Sequence, residues 1–94
     1  MKLDQYLDKA GVSSASELDK VKLVFFYYFR RQNQSTFTIA DVTEWFDQLH
    51  FSKPNSSRLK SRIIASRAFV KGSSKDTFKL HANTIKALDT QFPD

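Results

Sequence analysis

The chain has 94 residues, 40% of them apolar and 14% aromatic, and a formal net charge of +5, which suits one folded domain rather than a disordered segment. The absence of cysteine excludes disulfide scaffolds, iron–sulfur clusters, cysteine nucleophiles and every zinc finger built on Cys. Two glycines and two prolines leave no glycine-rich phosphate loop, and no apolar run approaches the ~18 residues of a membrane span. The charge is unevenly spread: six Lys/Arg stand against seven Asp/Glu in residues 1–49, and nine against three in residues 50–94. No acidic residue occurs between Gln48 and Lys75. A domain with its basic excess in one half has a surface suited to a polyanion, and nucleic acid is the commonest such partner.

In chain order, Leu3, Tyr6, Leu7 and Ala10 fall at helical spacing and Gly11 follows as a stop, so a short amphipathic helix is expected over about residues 2–10. Ser14 and Glu17 have the spacing of a capping box, and a long helix is expected to run from there to about Gln32. Leu18, Val21, Val24, Phe25, Tyr28 and Phe29 form its broad face. Leu23, Phe26 and Tyr27 lie outside that face, so the helix needs cover on a second side. The first helix, through Leu3, Tyr6 and Leu7, is the nearest candidate, and a homodimer seam is the alternative. Thr36-Phe37-Thr38 is β-favouring and long enough for a short strand. Thr38 reads as an N-cap, and Ile39, Val42, Phe46 and Leu49 predict a helix after it, with Trp45 in the core or at its edge.

His50-Phe51-Ser52-Lys53-Pro54-Asn55 breaks that helix, since Pro54 disfavours helix at Lys53, and Asn55 or Ser56 is placed to cap a helix over about residues 56–66. Its core side is thin: Leu59 and Ile63, with Ile64 to one flank. Phe69-Val70 and Thr77-Phe78-Lys79-Leu80 bracket a polar loop, Lys71-Gly72-Ser73-Ser74-Lys75-Asp76, which predicts a β-hairpin with a basic tip and Gly72 to let it turn. Asn83 caps a last helix carrying Ile85, Leu88 and Phe92, which Pro93 ends.

The expected fold is therefore mainly α with a small β-hairpin, in the order α-α-β-α-α-β-β-α, as a single domain over residues 1–94. Beyond the first helix, the Phe37 strand, the helix 39–49, the turn 50–55, the helix 56–66 and the hairpin 68–80 together resemble the winged helix-turn-helix superfamily. Thr38-Ile39-Ala40-Asp41-Val42 and Phe78-Lys79-Leu80 are similar to prokaryotic members, and the likeness covers about residues 16–90. The turn with Pro54-Asn55 is longer than the 3–4 residues of the simplest helix-turn-helix proteins.

The resemblance implies a protein without enzyme activity that binds double-stranded DNA, with the helix 56–66 in the major groove and the loop 71–76 as a wing on the backbone. It implies a role in transcription regulation or genome association in a prokaryotic cytoplasm, alone or within a larger protein. With Leu59 as the buried centre and about 100° per residue, Ser57 lies near 160°, Ser61 near 200° and Arg58 near 260°, facing outward, with Lys60 and Arg62 on the flanks. Hydroxyls and guanidinium groups at these positions suit base edges and phosphates. Asn55 and Ser56, at a helix N-terminus, suit a phosphate. Lys53, and Lys71 and Lys75 with Ser73 and Ser74 between them, add backbone contacts. No cofactor, metal, membrane or small-molecule substrate is expected, His50 and His81 being too far apart in sequence to suggest a site. The rival expectation is a winged-helix module for protein–protein assembly, its basic face meeting an acidic partner.

Overall fold

The long second helix is the element around which the rest is arranged. In a computed structural model, which describes residues 3–9 and 11–92, the helices are α1 (Leu3–Lys9), α2 (Glu17–Gln32), α3 (Ile39–Gln48), α4 (Ser56–Ala65) and α5 (Ala82–Gln91). The strands β1 (Phe69–Lys71) and β2 (Phe78–Leu80) form one antiparallel hairpin between α4 and α5, in the register Phe69↔Leu80, Val70↔Lys79, Lys71↔Phe78. The fold is thus mainly α with a small hairpin near the C-terminus. The Ala10 and Pro93 positions of the expected helix ends lie outside the described residues.

Local signals set the helix ends. Ser16, rather than Ser14, caps α2, accepting from the Asp19 amide at 3.2 Å, while Ser14 belongs to a 3₁₀ turn (Val12–Ser14). Both serines have an acidic residue three positions on, so spacing alone does not choose between them. The Thr38 hydroxyl accepts from the Asp41 amide at 3.1 Å and the Asp41 carboxylate from the Thr38 amide at 2.9 Å, a reciprocal capping box that starts α3. Asn55 caps α4. His81, not Asn83, caps α5, its Nδ1 accepting from the Asn83 amide at 3.0 Å.

The expected strand at Thr36-Phe37-Thr38 does not extend to a strand. Phe37 alone pairs with β2, in a single antiparallel bridge in which its amide donates to Phe78 O at 2.9 Å and the Phe78 amide donates back at 2.8 Å. The capping box at Thr38 turns the backbone into α3 one residue later, so the segment is too short for a ladder.

Val21, Val24, Phe25 and Phe26 of α2 are fully enclosed, which accounts for its apolar character on nearly every side. On one side lie Phe37, Trp45, Phe46, Leu59 and Ile63, with the Phe37 ring 4.6 Å from Phe25 and Trp45 stacked 5.1 Å from Tyr28. On the other lies α1. Tyr6 and Leu7 are buried, the Tyr6 ring is 5.5 Å from Tyr27, and the Tyr6 hydroxyl donates to Leu23 O at 2.9 Å. Leu23 and Phe26 are thereby buried within the chain; the Leu3 part of the expected cover falls outside the described side chains. The Arg30 guanidinium donates to Phe92 O and pairs with Asp89 at 3.6 Å, tying α5 to α2, and Phe92 meets the Tyr6 ring at 5.3 Å.

Burial raises the Tyr6 phenol above its ordinary ionisation range, against a smaller opposing pull from Arg30. Because the folded value lies above the unfolded one, Tyr6 costs no stability below about pH 10 and progressively more above it, up to about 1.4 kcal/mol per pH unit. Tyr6→Phe should lower stability by roughly 1 kcal/mol at pH 7, through the lost hydrogen bond. It should also flatten the fall in stability above pH 10, both effects read from urea unfolding across pH. An unchanged midpoint at pH 7 and an unchanged alkaline slope would contradict this packing of α1.

Candidate nucleic-acid interface

Helix α4 is held by two residues. Leu59 and Ile63 are buried, and Ser56, Ser57, Arg58, Lys60, Ser61, Arg62 and Ile64 are exposed, so the expected outward positions of Ser57, Ser61 and Arg58 are those found. Asn55 Oδ1 accepts from the Arg58 amide at 2.9 Å. That capping bond engages the Asn55 side-chain oxygen and one first-turn amide with each other, and leaves the Asn55 side-chain NH2 and the other first-turn amides outside the cap.

The hairpin loop stands beside α4. Thr38, Ile39, Ala40, Ser56, Ser57, Lys60, Asp76 and Phe78 line an open groove of about 360 Å³ where the first turns of α3 and α4 meet the base of the loop. The loop is closed by the Gly72 amide on Thr77 O at 2.9 Å and by the Thr77 hydroxyl on Ser74 O at 2.6 Å. Its left-handed residue is Asp76, at φ 59°, not Gly72. Glycine is required at 72 because the backbone there runs against Thr77: a Cβ would collide with the Thr77 hydroxyl and lie 3.1 Å from the Thr36 methyl. Ser73, Ser74, Lys71 and Lys75 are all exposed on the loop and its flanks.

The charge on this surface differs from the run of unbalanced cations in the sequence. Lys60 Nζ pairs with Asp76 Oδ1 at 2.9 Å, and Arg62 Nη1 approaches Glu17 Oε1 at 3.9 Å. The acidic partners come from just beyond the basic run and from the start of α2, so the run is locally unbalanced in sequence and partly balanced in space. The Lys60 ammonium, through its hydrogen bond and charge, holds the Asp76 carboxyl below the ordinary carboxylate range. Lys53 lines a second groove of about 370 Å³ with Ala40, Thr43, Glu44, Asp47 and Phe51, which puts it beside two carboxylates of α3. Among the described residues, Arg58, Lys71 and Lys75 have no ion-pair partner.

The structure therefore brings Ser57, Ser61, Arg58 and Lys60 of α4 onto one exposed helix beside the Lys71–Lys75 loop, and leaves Lys53 beside α3. One acidic residue of this surface was not among the expected site residues. Asp76 contributes a carboxylate that only the folded hairpin brings to α4. Ile64, expected on one flank of the core side, is instead 56% exposed, because at about 140° from Leu59 the helix turns it away from the core.

His50 is an exposed turn residue at φ 62° and His81 is a helix cap, while Trp45 is buried among Phe25, Tyr28 and Phe37 and so offers no exposed ring for stacking. None of the helices among the described residues is long and apolar enough to cross a membrane. The chain matches no protein-family model, no curated protein and no solved structure.

Asp76 is the one carboxylate paired with α4 from the hairpin, and asparagine also tolerates its left-handed backbone. Asp76→Asn should leave the unfolding midpoint unchanged, because an exposed ion pair adds little stability. It should tighten binding to a polyanion several-fold, by removing one negative charge and releasing Lys60. Weaker binding in an anisotropy titration with duplex DNA would show that the pair holds Lys60 where it is needed.

Proposed function

We propose that the protein is a winged helix-turn-helix domain that binds double-stranded DNA, with α4 lying in the major groove and the loop between β1 and β2 resting on the phosphate backbone. The observation that carries this reading is the placement of the basic hairpin loop alongside α4, where Lys60 of the helix and Asp76 of the loop are joined at 2.9 Å. The order of elements supports it as well: α2, the Phe37 segment bridged to β2, α3, a turn, α4 and the hairpin follow the superfamily's succession. With only Leu59 and Ile63 turned to the core, α4 leaves most of its circumference free to enter a groove.

In this arrangement Ser57 and Ser61 face base edges, where a hydroxyl donates or accepts. Arg58, on the flank away from the hairpin, reaches a guanine edge or a phosphate. Lys71 and Lys75 hold phosphates on the loop side as point charges, fixing register without reading sequence. A regulatory or genome-associated role follows from such binding.

The test is the salt dependence of binding to a random-sequence duplex. Three contacts, from Arg58, Lys71 and Lys75, give a slope of log affinity against log salt near about −2.7, and a fourth, from Lys60 released by Asp76, about −3.6. A slope of about −1 or shallower, or no binding near 100 mM salt, would contradict the proposal and favour a protein partner. Lys71→Ala and Lys75→Ala should weaken binding to all duplexes alike. Arg58→Ala should cost roughly 1–3 kcal/mol more on a selected site than on random DNA.

A further inference from the structure

We infer that Ile64 is a specificity-determining residue that reads the 5-methyl group of thymine, so that the protein favours T·A pairs beneath the second half of α4. The inference rests on the DNA-binding reading and assigns one part of it. Ile64 is 56% exposed and is the large apolar side chain left in solvent among the described residues, whereas Ile63 beside it and Leu59 one turn back are enclosed. Its exposure is therefore not the fraying of a poorly packed helix: the core side of the same helix is closed on the adjacent residue.

Its place on the helix is specific. Ser57, Ser61 and Ile64 follow at i, i+4 and i+7, a single stripe directed away from the core. Arg58 lies to one side of that stripe; Lys60 and the hairpin loop lie to the other, joined by the Lys60–Asp76 pair. The stripe itself carries no charge and no long polar side chain. It has two small hydroxyls and one branched aliphatic group, between basic flanks that match the phosphates on either side of a groove.

A major groove offers such a stripe one bulky apolar group. The remaining edges are hydrogen-bond donors and acceptors and the small C5–H of cytosine, so the thymine 5-methyl, with the O4 acceptor beside it, is the group that an aliphatic side chain covers best. An isoleucine cannot satisfy a donor or an acceptor, and against any other base pair it would cover polar atoms without replacing their hydrogen bonds with water. Against thymine it covers the methyl group, and the Ser61 hydroxyl, one turn back on the same stripe, is of the right kind to donate to O4. The charge at the edges selects a polyanion, and the lone aliphatic group at the centre selects the base.

The experiment compares two duplexes of equal length, alternating dA-dT and alternating dA-dU, which differ only in the 5-methyl group. Binding is measured by anisotropy for the wild-type chain and for Ile64→Ala, whose exposed position leaves the core intact; its thermal unfolding midpoint checks this. The wild type should prefer the thymine duplex by about threefold to fourfold for each methyl engaged. Ile64→Ala should bind both duplexes equally, at close to the wild-type affinity for the uracil duplex. Equal wild-type binding to the two duplexes would overturn the inference while leaving DNA binding in place. A thymine preference that survives in Ile64→Ala would overturn it too, placing the methyl contact on another residue. Binding to neither duplex would overturn both this inference and the DNA reading, and would leave Ile64 to a protein contact.

Discussion

The pairing of Phe37 with Phe78 is the constraint on which the rest of the arrangement depends. Two backbone hydrogen bonds, at 2.9 and 2.8 Å, join the segment between α2 and α3 to the second strand of the hairpin. The Phe37 ring continues the junction, lying 4.6 Å from Phe25, 6.0 Å from Trp45, 5.7 Å from Phe69 and 5.9 Å from Phe78. One residue thus connects α2, α3 and both strands. An isolated two-stranded hairpin is marginal in water, and this one is held by its attachment to an aromatic core. That attachment fixes the base of the loop against the first turns of α3 and α4, which brings Asp76 within reach of Lys60.

Around this junction the chain divides its work between two faces of α2. One receives α3, α4 and the Phe37 junction; the other is closed by Tyr6 and Leu7 of α1 and by Phe92 after α5. Closing the second face consumes the apolar side chains that would otherwise suggest an oligomeric seam. Ile64 on α4 is then the exposed large apolar group among the described residues. The Lys60–Asp76 and Arg62–Glu17 pairs moderate the charge of α4, and Arg58, Lys71 and Lys75 have no ion-pair partner among the described residues.

Much of the fold was legible because it is written in local patterns. The helical stripes of α2 and α3, the Thr38–Asp41 box, the Asn55 cap and the alternation at Phe78-Lys79-Leu80 all act within a few residues of one another. The need of Leu23, Phe26 and Tyr27 for a second cover was also visible, since three large apolar groups on the wrong side of a helix demand one. What local patterns do not carry is the choice among equivalent caps, as at Ser14 and Ser16, and the length of a β segment whose partner is as far along the chain as Phe78 is from Phe37. The requirement for Gly72 is likewise not written locally. It comes from the side chain of Thr77 across the hairpin and from the Thr36 methyl in the segment before α3, not from the turn's own dihedral angles. In the candidate site, the outward positions of Ser57, Arg58 and Ser61 follow from helical periodicity alone. The neutralising of Lys60 and Arg62 does not, because their carboxylate partners are supplied by tertiary contacts.

The central claim is that α4 and the hairpin loop form one DNA-binding surface, and an amide-shift titration with a short duplex tests it most directly. Binding through this surface predicts the largest shifts at residues 55–64 and 71–76, moving together at one affinity, with α1 and α5 little changed. Shifts confined to α1 and α5, or separate affinities for the helix and the loop, would contradict it.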